Sequence, residues 1–270
     1  MKPHLRVHVI FVGALVEDID RALDGVVMQK PDRIYLVTMS GEDKYKSLVD
    51  KAKDRILKER IVLPKELRET KVNYYNVLES MKLCARIIRD EKAEGNDVYF
   101  SLASGGKLLS ASITLSCTLF DAVLYYVKFD YPSQKISKDQ PIITFPAFHV
   151  EKPGLELVTF LNELVAGGTR SGGVHTFSKK DCLETCKRLS LGGFRDDLKN
   201  ESGNYNKLRI KFLDKLEAIK YITVDSKTRG HITITDEGMF SIDLFATYYG
   251  LPSSEKIGAS ETTRNRVQSR

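Results

Sequence analysis

The first 150 residues alternate short β-branched or aromatic runs with amphipathic stretches, and this alternation constrains the fold more than any other feature. Repeated strand–helix units of this kind build a parallel sheet that is covered by helices. Val7–Gly13 is almost continuously apolar, as expected for a central parallel strand. The predicted strands are Val7–Gly13, Arg33–Met39, Lys71–Asn76, Val98–Ser104 and Ala122–Phe129. We therefore predict a Rossmann-like α/β domain over residues 1–152, ending in an edge strand around Pro146, which cannot donate to a sheet.

The second half of the chain has the order of a winged helix-turn-helix domain. Ser178 caps a helix, a short second helix follows Gly193, and a third is predicted at Tyr205–Ile219. Two short β-rich runs separated by DSKTRG then form a hairpin, and a final helix begins at Asp236. The predicted divisions are a connecting helix and glycine-rich linker at 153–173, the winged helix domain at 174–250 and a disordered tail at 251–270.

Composition excludes several classes of protein. No apolar run approaches the roughly 20 residues that a membrane-spanning helix needs, so no membrane partner is expected. The four cysteines are too few for a disulfide scaffold, which favours a reducing cytoplasm. Cys182 and Cys186 lie four residues apart, but no second Cys or His pair completes a tetrahedral site, and the five histidines form no metal-binding motif. We predict neither a metal nor another cofactor.

A phosphate-binding loop is predicted where the fourth strand meets its helix, at Ser104, Gly105, Gly106 and Lys107. Backbone N–H groups and the positive end of the helix dipole converge at such a junction. The glycines let a ligand approach the backbone, the serine offers a hydroxyl and the lysine a cation. A tight turn with an exposed lysine is the structural alternative. Neither GxGxxG nor GxxxxGK[ST] is present, which argues against a dinucleotide dehydrogenase and a P-loop NTPase.

Two other loops leave the same edge of the predicted sheet. One begins at Gly13 after the first strand, and the other contains Thr38 and Ser40 after the second. Because the carboxyl ends of parallel strands form the ligand-binding crevice of open α/β sheets, we expect all three loops to share one pocket.

The excess positive charge lies in the second half. Residues 179–231 hold 13 Lys and Arg against 8 Asp and Glu, so they contribute +5 of the net +6. Lysines four residues apart on the third helix repel one another unless phosphate neutralises them, although a solvated helix face is the simpler alternative. A basic helix beside a basic hairpin is typical of winged helices on DNA. The predicted DNA contacts are Asn204, Tyr205, Asn206, Lys207, Arg209, Lys211, Lys215, Lys227, Arg229 and His231.

Several longer segments resemble the CARF (CRISPR-associated Rossmann-fold) family, and in particular archaeal regulators that join a CARF domain to a winged helix. They are VHVIFVG, DRIYLVT, NDVYFSLASGGKLLSASI followed by AVLYYVKF, FPAFHVEKPGLELV, and LDKLEAIKYITV with ITITDEG. The family's strand-four motif falls on Ser104–Lys107 and its strand-one loop on Gly13, Ala14 and Leu15. Many relatives place a threonine before the lysine, whereas Lys107 follows Gly106 directly here.

The resemblance implies a homodimer that binds a cyclic oligoadenylate across its two-fold axis and regulates transcription, often of CRISPR loci. The leading hypothesis is thus a ligand-responsive transcription factor that binds double-stranded DNA. Some CARF domains cleave their ligand, and a ring nuclease using Lys107 is the enzymatic alternative. A nucleotide-binding protein without a CRISPR role is the third.

Overall fold

A computed structural model describes residues 4–13, 16–41, 45–130, 135–168, 170–171, 174–194, 201–225 and 231–252. The chain forms two compact units, Met1–Glu151 and Lys152–Arg270. The first unit contains β1 (Arg6–Phe11), α1 (Val16–Met28), β2 (Arg33–Met39), α2 (Lys46–Lys58), β3 (Leu67–Val72), α3 (Val77–Ala93), β4 (Asp97–Ser101), α4 (Lys107–Phe120), β5 (Val123–Val127), β6 (Phe129–Asp130), β7 (Lys135–Ile136) and β8 (Ile142–Thr144). Ala14, Leu15 and the predicted tail beyond Pro252 lie outside the described residues.

The main sheet of the first unit has the strand order β3-β2-β1-β4-β5-β8. Its first five strands are parallel, and β8 pairs antiparallel with β5 at the edge. The order reverses between β1 and β4, and open α/β sheets bind ligands beyond the carboxyl ends of the strands at such a switch point. The predicted Rossmann-like fold class is confirmed, and the switch point lies next to the predicted glycine loop.

Strand β3 differs from its prediction. It spans Leu67–Val72 rather than Lys71–Asn76, and its register runs from the pair Ile34 and Leu67 to the pair Met39 and Val72. As an edge strand it is only partly buried and carries charged residues, so it lacks the apolar run that would have marked its position. The predicted strand therefore includes the turn that follows β3.

A buried ionic network joins the amino ends of the strands, away from the switch point. The Glu91 carboxylate of α3 is 1% exposed and accepts hydrogen bonds from Arg33 Nη1 at 2.7 Å and Asn96 Nδ2 at 2.7 Å. The Tyr35 hydroxyl also donates to Glu91, at 2.6 Å. Several donors satisfy this buried carboxylate, so the network fixes one end of the sheet.

The second unit contains α5 (Leu155–Gly167), β9 (Arg170–Ser171), β10 (Val174–Phe177), α6 (Lys179–Arg188), α7 (Glu201–Leu208), a π-helical turn (Arg209–Leu213), α8 (Asp214–Ala218), β11 (Ile222–Val224), β12 (Ile232–Ile234) and α9 (Asp236–Tyr249). Its sheet has the order β11-β12-β10-β9. Helix α6 begins with a capping box between Ser178 and Asp181. The order of helices around this small sheet confirms the predicted winged helix.

Helix α5 is part of the winged helix core rather than a connector. Phe160 and Leu164 are buried in one cluster with Phe212 and Ile232. Gly168, which follows α5, also has a packing role, because a Cβ at this position would clash with the ring of Phe177. The helix predicted as a connector within 153–173 therefore contributes its apolar face to the core, while Thr169, Gly172 and Gly173 of the predicted linker lie outside the described residues.

The third predicted helix begins earlier and contains an irregularity. It starts at Glu201 and includes a π-helical turn at Arg209–Leu213. Leu213 is buried beside Phe212, and Leu216 after the turn is also buried, whereas Ile219, the residue that follows α8, is 45% exposed. The short helix predicted after Gly193 falls mostly on residues 195–200, outside the described part of the chain.

Candidate functional site

A cavity of about 330 Å³ opens at the carboxyl edge of the sheet, and we call it the glycine-loop cavity. Gly13 after β1 and Met39 at the end of β2 form part of its wall. The remaining lining includes the turn Gly105–Lys107, with Tyr45, Tyr74 and Tyr75. The structure thus brings together the predicted loops that follow the first and the fourth strands.

The glycine loop has the geometry of an anion-binding turn. Gly105 has φ +102°, which favours glycine, and a Cβ there would lie 2.9 Å from Leu109 Cδ2. Gly106 caps α4 without a side chain, and a Cβ there would meet no atom within 4 Å. The first turn of α4 contains no acidic residue, and the exposed Lys107 is its first member. The unpaired N–H groups at this end and the lysine cation together suit a phosphate.

Ser104 has a different position from the one predicted. Its side chain is buried, and its hydroxyl donates to the carbonyl oxygen of Phe11 in β1. The residue does not line the glycine-loop cavity. The hydroxyl of Ser104 was predicted to contact a ligand. In the structure it instead holds the glycine loop against β1.

The residues at the end of β2 do not all line the glycine-loop cavity. Thr38 is 6% exposed and lines a neighbouring cavity rather than the glycine-loop cavity. Ser40 is exposed, and its backbone N–H donates to the Val72 carbonyl at 3.1 Å. The single pocket expected for all three loops is thus two adjacent cavities, which share Met39 and Tyr45 in their walls.

Tyr74 is a residue of the site that the sequence analysis did not single out. Its hydroxyl lies 2.8 Å from the Val37 carbonyl oxygen and 3.1 Å from that of Val12, so it bridges the ends of β2 and β1. Its ring packs edge-on against Phe11, and burial raises the pKa of its phenol. Tyr75 beside it is 74% exposed at the rim. In the sequence, the two adjacent tyrosines after a polar strand are the pattern that could have identified this part of the site.

The predicted DNA contacts divide into exposed and buried groups. Asn204 is 4% exposed, and Tyr205 packs against the core, so neither presents a free side chain to a groove. The exposed members are Asn206, Arg209, Lys211, Lys215 and His231. Arg209 Nε lies 3.4 Å from Asp214 in an exposed ion pair. Lys227 and Arg229 lie outside the described residues.

Lys207 makes contacts within the fold. Its Nζ donates to the Gly193 carbonyl at 2.8 Å and lies 4.7 Å from the centre of the Phe194 ring. This ammonium therefore joins α7 to the turn after α6. Lys211 and Lys215 remain exposed, so the predicted stripe of three lysines is reduced to two.

Two negative findings apply to the described part of the chain. There, no three His, Cys, Asp or Glu side chains are grouped to hold a metal ion. Among the same residues, no helix is both long and apolar enough to cross a membrane.

Comparison with family models assigns both units. Residues 6–131 match the model described as HFX_2341_N-like, N-terminal, and residues 156–246 match the DUF6293 C-terminal winged helix domain. The chain joins an HFX_2341_N-like domain to a DUF6293 winged helix domain. The predicted pairing of an α/β domain with a winged helix is thereby confirmed, whereas the archaeal source remains a prediction. A search of curated proteins finds no match.

Solved structures similar to this chain have low sequence identity to it. Can2 from Sulfobacillus thermosulfidooxidans, solved with cyclic tetra-adenylate, matches 91% of this chain and 64% of its own, at 11% identity and TM-score 0.37. Enterococcus italicus Csm6, bound to cyclic hexa-2'-fluoro-hexa-dAMP, matches 82% and 56%, at 10% identity and TM-score 0.39. VC1899 from Vibrio cholerae matches 90% and 64%, at 12% identity and TM-score 0.38. This chain spans less than two thirds of each.

Proposed function

We propose that this protein is a cytoplasmic, homodimeric transcriptional regulator that binds double-stranded DNA and responds to a cyclic oligoadenylate. One observation carries the proposal: a single chain combines an α/β domain, with a cavity at its glycine loop, and a winged helix with exposed basic residues on its third helix. The first part suits an anionic ligand and the second a nucleic acid. Such a pairing suits a ligand-binding domain that controls a DNA-binding domain.

The ligand end rests on the chemistry of the glycine-loop cavity. Phosphodiester oxygens can accept hydrogen bonds from the first N–H groups of α4 and pair with the Lys107 ammonium. Tyr75 offers an exposed ring at the rim for stacking on a base. The resemblance to CARF domains supplies the choice of a cyclic oligoadenylate among anionic nucleotides.

The DNA end rests on the exposed face of α7 and α8. Asn206 and Arg209 can hydrogen-bond base edges in a major groove, while Lys211 and Lys215 can contact phosphates. The opposite face is fixed by buried Leu208 and Leu216. This division leaves the polar face available for a duplex.

Coupling between ligand and DNA requires two states of the dimer with different DNA affinities. We propose that the ligand binds across the two-fold axis and changes the spacing of the two winged helices. A coupling of about 1–3 kcal/mol changes DNA affinity about 5- to 150-fold. That range is wide enough for a switch.

The first experiment is DNA binding by fluorescence anisotropy, using a duplex selected from a random pool. Lys211→Ala and Lys215→Ala should each weaken binding and reduce the dependence of log K on log salt concentration by about 0.9 for each phosphate contact. Lys58→Ala, in α2 of the other unit, is the matched control and should leave both unchanged. Absence of duplex binding by wild type at low salt would refute the proposal.

The ring nuclease remains the second candidate because Lys107 is exposed on the cavity wall. In such a reaction a ribose 2'-hydroxyl of the ligand attacks the adjacent phosphorus and the P–O5' bond breaks. The proton of the 2'-hydroxyl ends on the leaving 5'-oxygen, so the products carry a 2',3'-cyclic phosphate and a 5'-hydroxyl, and the lysine stabilises the charge that develops on the phosphate. Linear products from cyclic tetra-adenylate that disappear in Lys107→Ala would establish it. Binding of mononucleotides alone would instead favour the nucleotide-binding protein without a CRISPR role.

A further inference from the structure

A second cavity lies beside the glycine-loop cavity at the same edge of the sheet. It also has a volume of about 330 Å³ and is lined by residues of β2, β3 and α2. We call it the Lys71 cavity, and its charged lining comprises Lys46, Asp50, Lys53, Glu69 and Lys71. Neither the glycine-loop motif nor the predicted DNA contacts include these five residues.

The charges around the Lys71 cavity leave two cations available. Lys53 Nζ lies 2.8 Å from Glu69 Oε1, so these two side chains neutralise each other, and this contact raises the pKa of Lys53. Lys46 and Lys71 are both exposed and form no ion pair with a carboxylate of the described residues. Three lysines against two carboxylates give the cavity a net positive lining, which favours an anion.

The two cavities are adjacent, because Met39 and Tyr45 line both of them. Each volume is near the lower end of the roughly 300–1,000 Å³ typical of small-molecule sites, which is room for about one nucleotide. A shared aromatic wall is suited to stacking, since every base has a π face. The two cavities thus have room for two successive nucleotides of one ligand, and each cavity has at least one lysine in its lining that can pair with a phosphate.

We propose that the Lys71 cavity binds a second phosphate-bearing unit of the ligand that occupies the glycine-loop cavity. The ligand class is then an oligonucleotide with at least two phosphodiester groups, and a mononucleotide would use only part of the site. This inference rests on the proposed function for the identity of the ligand. It assigns Lys46 and Lys71 as phosphate contacts and Tyr45 as the residue between the two units.

Isothermal titration with cyclic tetra-adenylate over a series of NaCl concentrations tests the inference. Lys71→Gln and Lys46→Gln should each raise Kd about tenfold, as expected for one charge-assisted hydrogen bond. Each should also reduce the slope of log K against log salt concentration by about 0.7, the value for one phosphate contact on a single strand. Lys71→Arg should restore both quantities, since it preserves the charge. The control Lys58→Gln lies at the end of α2 and should match wild type.

The outcomes separate this inference from the proposed function. If Lys46→Gln and Lys71→Gln bind with the wild-type Kd and salt slope while Lys107→Gln loses affinity, the second unit does not reach the Lys71 cavity and the inference fails alone. If the wild-type protein binds no cyclic tetra-adenylate, both are overturned. A higher Kd with an unchanged salt slope would also refute the phosphate contact, because it would indicate a distorted strand rather than a lost charge.

Discussion

Replacing Tyr74 with phenylalanine removes one hydroxyl from the floor of the glycine-loop cavity. That hydroxyl lies 2.8 Å from the Val37 carbonyl oxygen and 3.1 Å from that of Val12. Val37 keeps a second donor, the Val12 N–H at 2.8 Å, whereas the Val12 carbonyl loses its contact with the phenol. One lost hydrogen bond with a desolvated acceptor costs about 1–2 kcal/mol. The local opening of the β1 and β2 ends should therefore become roughly 5- to 30-fold more frequent.

Hydrogen-exchange mass spectrometry measures this opening locally in the full chain. Peptides that cover 6–13 and 33–41 should exchange faster in Tyr74→Phe, while peptides of the winged helix should be unchanged. Tyr75→Phe is the matched control, because Tyr75 is 74% exposed and its hydroxyl should contribute little. Equal protection of β1 and β2 in Tyr74→Phe and Tyr75→Phe would refute the role assigned to Tyr74.

Three further predictions concern the glycine loop, a buried histidine and the lysines of the winged helix. Gly105→Ala should lower both the melting temperature and the affinity for cyclic tetra-adenylate, since φ is +102°, whereas Gly106→Ala, in open space, should melt like wild type; equal melting temperatures would contradict this. Burial lowers the pKa of His8 from 6.5 to about 4. Because the unfolded chain binds a proton at His8 below pH 6.5 and the folded chain does so only near pH 4, the free energy of unfolding should decrease by about 3 kcal/mol between pH 6.5 and pH 4. Urea denaturation of His8→Phe should lack this component, and an unchanged pH dependence would count against the buried imidazole. Lys207→Ala should lower the melting temperature, whereas Lys215→Ala should weaken DNA binding without that loss; the reverse pattern would contradict the assigned contacts.

Elements with strong local signals could be predicted from the sequence. Val7–Gly13 is almost continuously apolar, as suits a strand that lies between β2 and β4, and its residues Val7, Val9 and Ile10 are fully buried. The two glycines before Lys107 mark the start of α4, since Gly105 adopts a positive φ and Gly106 forms the N-cap. In both places the local residue preference and the tertiary environment agree.

Features that depend on distant contacts could not be predicted. The Ser104 hydroxyl points away from the cavity because it donates to Phe11, 93 residues earlier in the chain. The edge strand β3 lacks an apolar pattern, so its position depends on pairing with β2. The π-helical turn at Arg209–Leu213 has no local signal in the sequence, which predicted one regular helix over Tyr205–Ile219. Each error arises where tertiary packing overrides a local pattern.

The most direct test of the central claim is DNA affinity measured with and without cyclic tetra-adenylate. Anisotropy titrations of the selected duplex should give Kd values that differ about 5- to 150-fold, in either direction, when the ligand is saturating. Lys107→Ala should retain DNA binding and lose the response, because its change lies in the ligand site. Identical DNA affinities with and without saturating bound ligand would contradict the account of a ligand-controlled regulator.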